Sequence, residues 1–211
     1  MAGTRRYIDK PYRTMGVSNY TFWKELTDDK ETGTATYSEA YTLPGTVQIT
    51  PTDSGGTSVF DADNVAYEID SYVEKMGHGI ENADVPPEAD KMWRGLDPDA
   101  PGVMVEKDTF GNAPYFAVAW MIDMGGGNCR LVKYFKGKYG FASNVGAKTA
   151  NSEGAPEKQT AKSSFTATFR DCDSKGYYYL DTKDLPEGTT KDTAIEKWFT
   201  EVDWVPTEQT D

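Results

Sequence analysis

The segment YFAVAWMIDMGGGNCRLVKYFKGKY, residues 115–139, decides the fold class. Between Tyr115 and Met124 every second residue is large and apolar, so Phe116, Val118, Trp120, Ile122 and Met124 share one face of a strand that reads as core. Gly125, Gly126, Gly127 and Asn128 supply the positive φ angles of a tight hairpin turn, and Cys129 to Tyr139 returns antiparallel. The same glycines lack the Gly-Lys-Ser/Thr ending and the following helix of a phosphate-cradling loop, so they read as a turn.

Working outward, period-two alternation dominates. Val17 to Leu26 is rich in strand formers and ends in a polar turn over 27–30. Gly45 to Thr52 alternates Thr46, Gln48 and Thr50 with Val47 and Ile49; a turn over 53–56 then leads to a partner strand from Thr57 to Asp63. That predicts a hairpin with one wet, acidic face carrying Thr46, Gln48, Thr50, Asp61 and Asp63, with Phe60 pointing the other way. Ser164 to Asp171 alternates around Phe165 and Phe169, and Gly176 to Asp181 follows as another hairpin arm. Two places carry helical signal. Asp84 is positioned to cap a helix with Pro86 and Pro87 in its first turn, facing the sheet with Ala89, Met92, Trp93 and Leu96 and stopping at Gly95. Lys191 to Phe199 has a stripe of Ile195, Trp198 and Phe199 that fits either helix or irregular cover. The expected core is Phe60, Trp93, Phe116, Val118, Trp120, Ile122, Phe165 and Phe169.

The chain has 211 residues, 37% hydrophobic and 27% charged, enough for one core and too polar for membrane spans. Behind Arg5 and Arg6 there is no apolar run, so a cleaved secretory signal is not expected. A net charge of −12 is the wrong sign for gripping nucleic acid; it permits a passage through which DNA slides without sticking, and solubility alone also accounts for it. Cys129 and Cys172 lack a Cys-x-x-Cys partner, which argues against a metal or redox site. The segment Asp171 to Gly176 imitates the start of a calcium loop, yet Lys175 and Thr182 stand where ligands belong. The single histidine, His78, has no nucleophile signature beside it and reads as a surface or strand-edge residue. No catalytic residues, cofactor or metal are expected.

Several stretches in a fixed order resemble the major tail protein family of phages with long non-contractile tails. They are Gly16-Val17-Ser18-Asn19, Leu43-Pro44-Gly45, Asp84 to Glu88, Trp93 with Gly95, Gly102 to Lys107, Ala113 to Trp120, and Leu131 to Tyr139. The resemblance implies a mainly β chain: an antiparallel β-sandwich or rolled barrel with one short flanking α-helix and extended loops and arms. It also implies a structural protein and no enzyme, with six copies forming a ring and rings stacking into a tube. The implied partners are the chain itself, a tape measure protein, a tail terminator and distal tail proteins, with DNA only in transit and no membrane. The implied location is the virion tail, assembled in the bacterial host cytoplasm. On this reading residues 1–15 form an N-terminal arm, 16–205 the tube domain and 206–211 a C-terminal tail. Within the tube domain a turn-rich, apolar-poor excursion over 144–162 is expected to bridge subunits or rings, through Ala147, Lys148, Asn151, Glu153, Pro156 and Lys158. A competing reading is a monomeric carbohydrate-binding module, with Tyr177, Tyr178, Tyr179, Tyr7, Tyr12, Trp198 and Trp204 as its aromatic platform.

Overall fold

A computed structural model describes residues 12–62, 65–96, 113–140 and 159–206. In chain order the strands are β1 (Thr14–Asp29), β2 (Thr34–Tyr37), β3 (Tyr41–Leu43), β4 (Thr46–Pro51), β5 (Ser54–Ala62) and β6 (Val65–Asn82). After α1 (Pro87–Trp93) come β7 (Phe116–Met124), β8 (Cys129–Tyr139), β9 (Ala161–Thr168), β10 (Tyr177–Asp181) and finally α2 (Lys191–Thr200). The architecture is mainly β, as the alternation predicts: one antiparallel sheet in the order β2-β1-β7-β8-β9-β6-β4, curled into a half-barrel.

The curl follows from a short corner. β2 and then β3 run along the same edge of β1, after which Pro44 and Gly45 (φ 81°) carry the chain to the far end of the sheet, where β4 pairs with β6. β1 and β4 thereby approach each other. Gly77 and Gly137 let β6, β8 and β9 close up, because a Cβ on either would run into backbone and side chain of Phe165 and Thr166.

Side chains from both ends of the sheet meet inside the curl. Tyr20, Phe22, Ile80, Phe116, Val118, Trp120, Tyr134 and Phe165 are buried there, and α1 adds Ala89, Met92 and Trp93. Trp93 stacks on Tyr139 with centroids 4.1 Å apart. The same strands are buried on their other face too: Trp23, Ala117, Ala119, Leu131, Phe135 and Leu180 pack under Ala194 and Trp198 of α2. That double burial explains the nearly continuous apolar run of β7. The second helical segment is therefore a true helix, capped by Thr190, whose hydroxyl accepts from the Thr193 amide. Among the described residues two helices flank the sheet, the second segment taking the helical one of its two readings.

Several expectations are corrected. Segment 53–56 does not reverse the chain: β4 and β5 never pair, and both instead lie along β6, a strand the sequence reading missed. The Asp53 carboxylate accepts from the Gly77 amide and the Tyr134 hydroxyl, so it pins the step between β4 and β5 to β6 and β8. β10 pairs with β8 rather than with β9. Asp84 accepts from the adjacent Val85 amide and does not cap α1, whose N-cap position is Pro86. Strand begins at Thr14, inside the expected arm, and Ala161 and Lys162 already belong to β9. Of the expected core, Trp93, Phe116, Val118, Trp120 and Phe165 are buried and Ile122 packs against them. Phe60 and Phe169 are 61% and 48% exposed, because Phe60 sits on a protruding ribbon and Phe169 lies past the end of β9.

Candidate assembly interface

The long hairpin that contains β6 has two unlike halves. Met76 to Asn82 is embedded between β9 and β4, with Met76, His78, Ile80 and Asn82 buried. Val65 to Lys75 pairs with β5 alone, and among the described residues no further strand covers either outer edge of this ribbon. About nine residues per strand at ~3.3 Å each make an arm on the order of 30 Å long. Register places Gly55, Thr57 and Val59 opposite Val73, Ser71 and Ile69 on one face. On that face Val59, Ile69 and Val73 are 50%, 64% and 60% exposed. The other face combines Phe60 and Tyr72 with Glu68 and Asp70, and a bulge at Tyr67 brings its ring edge-on to Phe60. The arm's apolar face runs into an open hollow of about 370 Å³ at its root, lined by Gly55, Val73, Met76 and Tyr177. Beyond Tyr177 a wider groove of about 560 Å³ continues over Met15, Val17, Val47, Ile49 and Ile122.

The residues assigned to a wet face are only partly brought together. Gln48 and Thr50 are exposed neighbours, the Gln48 amide donating to the Thr50 hydroxyl over 3.1 Å. A bulge between Thr46 and Gln48 takes Thr46 off that face, and its hydroxyl is buried. The backbone of Asp61 pairs with Ala66 in the arm. The side chain of Asp61, all of Asp63, and Ala147, Lys148, Asn151, Glu153, Pro156 and Lys158 lie outside the described residues, as do Tyr7 and Gly102 to Lys107.

His78 is not at the surface. It is fully buried between Trp120 and Phe165, with centroids 4.7 and 5.2 Å away, and its Nε2 shares a 2.9 Å hydrogen bond with the Tyr20 hydroxyl. Burial lowers its pKa to about 3, which makes it a neutral core residue. The carboxylates of the imitation calcium turn are occupied by cations: Asp171 holds Lys136 at 2.7 Å, and Asp173 holds Arg170 and Lys175. Lys136 is the hub of this region, since it also meets Asp28 at 2.6 Å. Burial alone would lower its pKa, but hydrogen bonds to Asp171 and Asp28 outweigh that and raise it. Among the described residues no group of three His, Cys, Asp or Glu side chains is arranged to hold a metal. No helix there is long and apolar enough to cross a membrane.

The aromatic platform is dismantled. Trp198 is fully buried and stacks on Tyr178, Trp204 packs into the same cluster, and of the platform's described residues Tyr177, Tyr179 and Tyr12 offer exposed rings. Tyr177 and Tyr179 are tilted by 40°, and Arg130 lies over Tyr179 while pairing with Asp181. Compared with known proteins, the chain matches no family model and no curated protein.

Proposed function

We propose that this chain is the repeating subunit of a tube, in which copies join into hexameric rings and rings stack, as in the tail tube of phages with long non-contractile tails. The observation that carries this reading is the β5–β6 arm. A lone two-stranded ribbon is marginal in water, and open edges beside apolar side chains invite pairing with another chain. A second copy supplies a matching cover: strand edges joined between neighbours extend a curled sheet towards a closed barrel. An arm that meets a different surface on the next copy makes a heterologous contact, which propagates into a stack instead of closing as a dimer.

The net charge of −12 supports a conduit role, since an acidic wall repels the phosphates of passing DNA. In this reading Gln48, Thr50, Asp61 and Asp63 contribute to the lumen wall, and the 144–162 excursion bridges subunits or rings. The tape measure protein sets tube length, and the terminator and distal tail proteins bound its ends. The chain works as a component of the virion tail, assembled in the host cytoplasm, and catalyses nothing. Sedimentation velocity over a concentration series is the test. Growth from a single light species to ring-sized and then polydisperse heavy species is expected. One sedimentation coefficient, that of a monomer, at every concentration would overturn the reading.

A further inference from the structure

Lys133 on β8 has no carboxylate in ion-pair range among the described residues, although Lys136 three residues later has three. Its side chain is fully buried. Its Nζ donates to the carbonyl oxygens of Glu201 and Val202, at 2.9 and 3.0 Å, just past the last turn of α2. The ammonium also lies 4.5 Å from the ring centre of Trp198 on α2 and 5.5 Å from that of Trp23 on β1. Thus one atom ties the end of α2 and the chain after it to the outer face of the sheet.

The groups around it are few. The segment after α2 brings the Glu201 and Asp203 carboxylates, at longer range. Beyond the end of β9 stands the Arg170 guanidinium, itself paired with Asp173 and Asp203. β10 contributes Tyr178 directly opposite Lys133, and β7 contributes only Ala119. Carbonyls and indole faces are good partners for an amine, but they do not replace the water that a full positive charge loses on burial.

We propose that Lys133 is a proton-coupled clamp: neutral, it seats α2 and residues 201–203 on the sheet, and protonated, it favours release of that cover. Burial pulls the Lys133 pKa from 10.5 down to about 7 in the seated state, and release returns it to water. The released form therefore binds more protons between about pH 7 and 10.5, so the seated form gains stability as pH rises through that window. Below pH 7 both forms are protonated and the dependence levels off. Release uncovers Trp198, Trp23, Leu131 and Phe135, a second apolar face separate from the arm.

Hydrogen exchange of the α2 amides, corrected for intrinsic rates, reads the opening directly. In the whole wild-type chain the opening constant is expected to fall about tenfold per pH unit from pH 7 to 9 and to be flat from pH 5 to 7. Lys133→Met is expected to remove that slope while keeping α2 protected. A direct NMR titration of the Lys133 amine in the wild type stands beside it, so the proposal remains testable if the variant does not fold. A wild-type profile with no slope, the same slope in Lys133→Met, or an amine that titrates in the ordinary lysine range would each overturn it.

Discussion

Replacing Val59, Ile69 and Val73 together by threonine separates the arm's role in assembly from any role in folding. Threonine keeps the strand preference of the ribbon, so pairing within the arm survives. All three side chains are at least half exposed in the isolated subunit. Complete burial of a Val or Ile is worth ~1.5–3 kcal/mol, so covering the exposed remainder contributes about 1 kcal/mol each. Losing ~3 kcal/mol across the three weakens each inter-subunit contact by roughly two orders of magnitude. In the free subunit, substitutions at such exposed positions change stability by about 0.5 kcal/mol or less. The assay measures the critical concentration for assembly by light scattering, paired with a thermal melt of the dilute subunit. A critical concentration raised about a hundredfold with an unchanged melt is expected. An unchanged critical concentration refutes the reasoning, and so does a melt lowered by many degrees, since either outcome means that these side chains do not await a partner.

Three further outcomes follow from the interior. Gly77→Ala forces a Cβ onto the Phe165 carbonyl at φ 153°, so chemical denaturation is expected to report a loss of about 2–3 kcal/mol; wild-type stability would mean that β6 and β9 are further apart. Trp198→Ala empties the space under α2 and should cost ~3–5 kcal/mol, visible as a fall in Tm of about 10 °C, while leaving the α1 side of the core intact by aromatic NMR signals. Asp28 is depressed below the usual carboxylate range: burial raises it, but its bonds to Lys136 and to the Asp171 and Cys172 amides outweigh that. A depressed carboxylate stabilises the fold above its unfolded pKa and loses that contribution as pH falls, so acid titration of Asp28→Asn should show a shallower loss below about pH 4 than wild type.

How much of this could be read in advance depended on whether local pattern and tertiary role agreed. In β7 and β8 they agree: alternation, β-branched and aromatic residues and a glycine turn all point one way, and even the boundaries of β8 were legible. In β6 they conflict. Gly77 and Gly79 put no side chain into the alternation, yet Gly77 is there so that β9 can pass close to it. His78 looked like a surface residue because nothing local announces that Trp120, Tyr134 and Phe165 will enclose it. Segment 53–56 has sound turn chemistry, but Asp53 uses its carboxylate on Gly77 and Tyr134, contacts that only the folded sheet provides. The arm is half legible: alternation marks Phe60 as strand but does not show that it is exposed, because alternation reports which residues share a face and not whether that face is covered.

The claim that copies of this chain build a tube is tested most directly by negative-stain imaging of the purified protein, concentrated alone and seeded with tail-tip complexes. Rings with sixfold end-on views and hollow tubes of uniform width are predicted. A field of single compact particles under every condition, with no tubes containing this chain in a lysate that expresses it, would contradict the account.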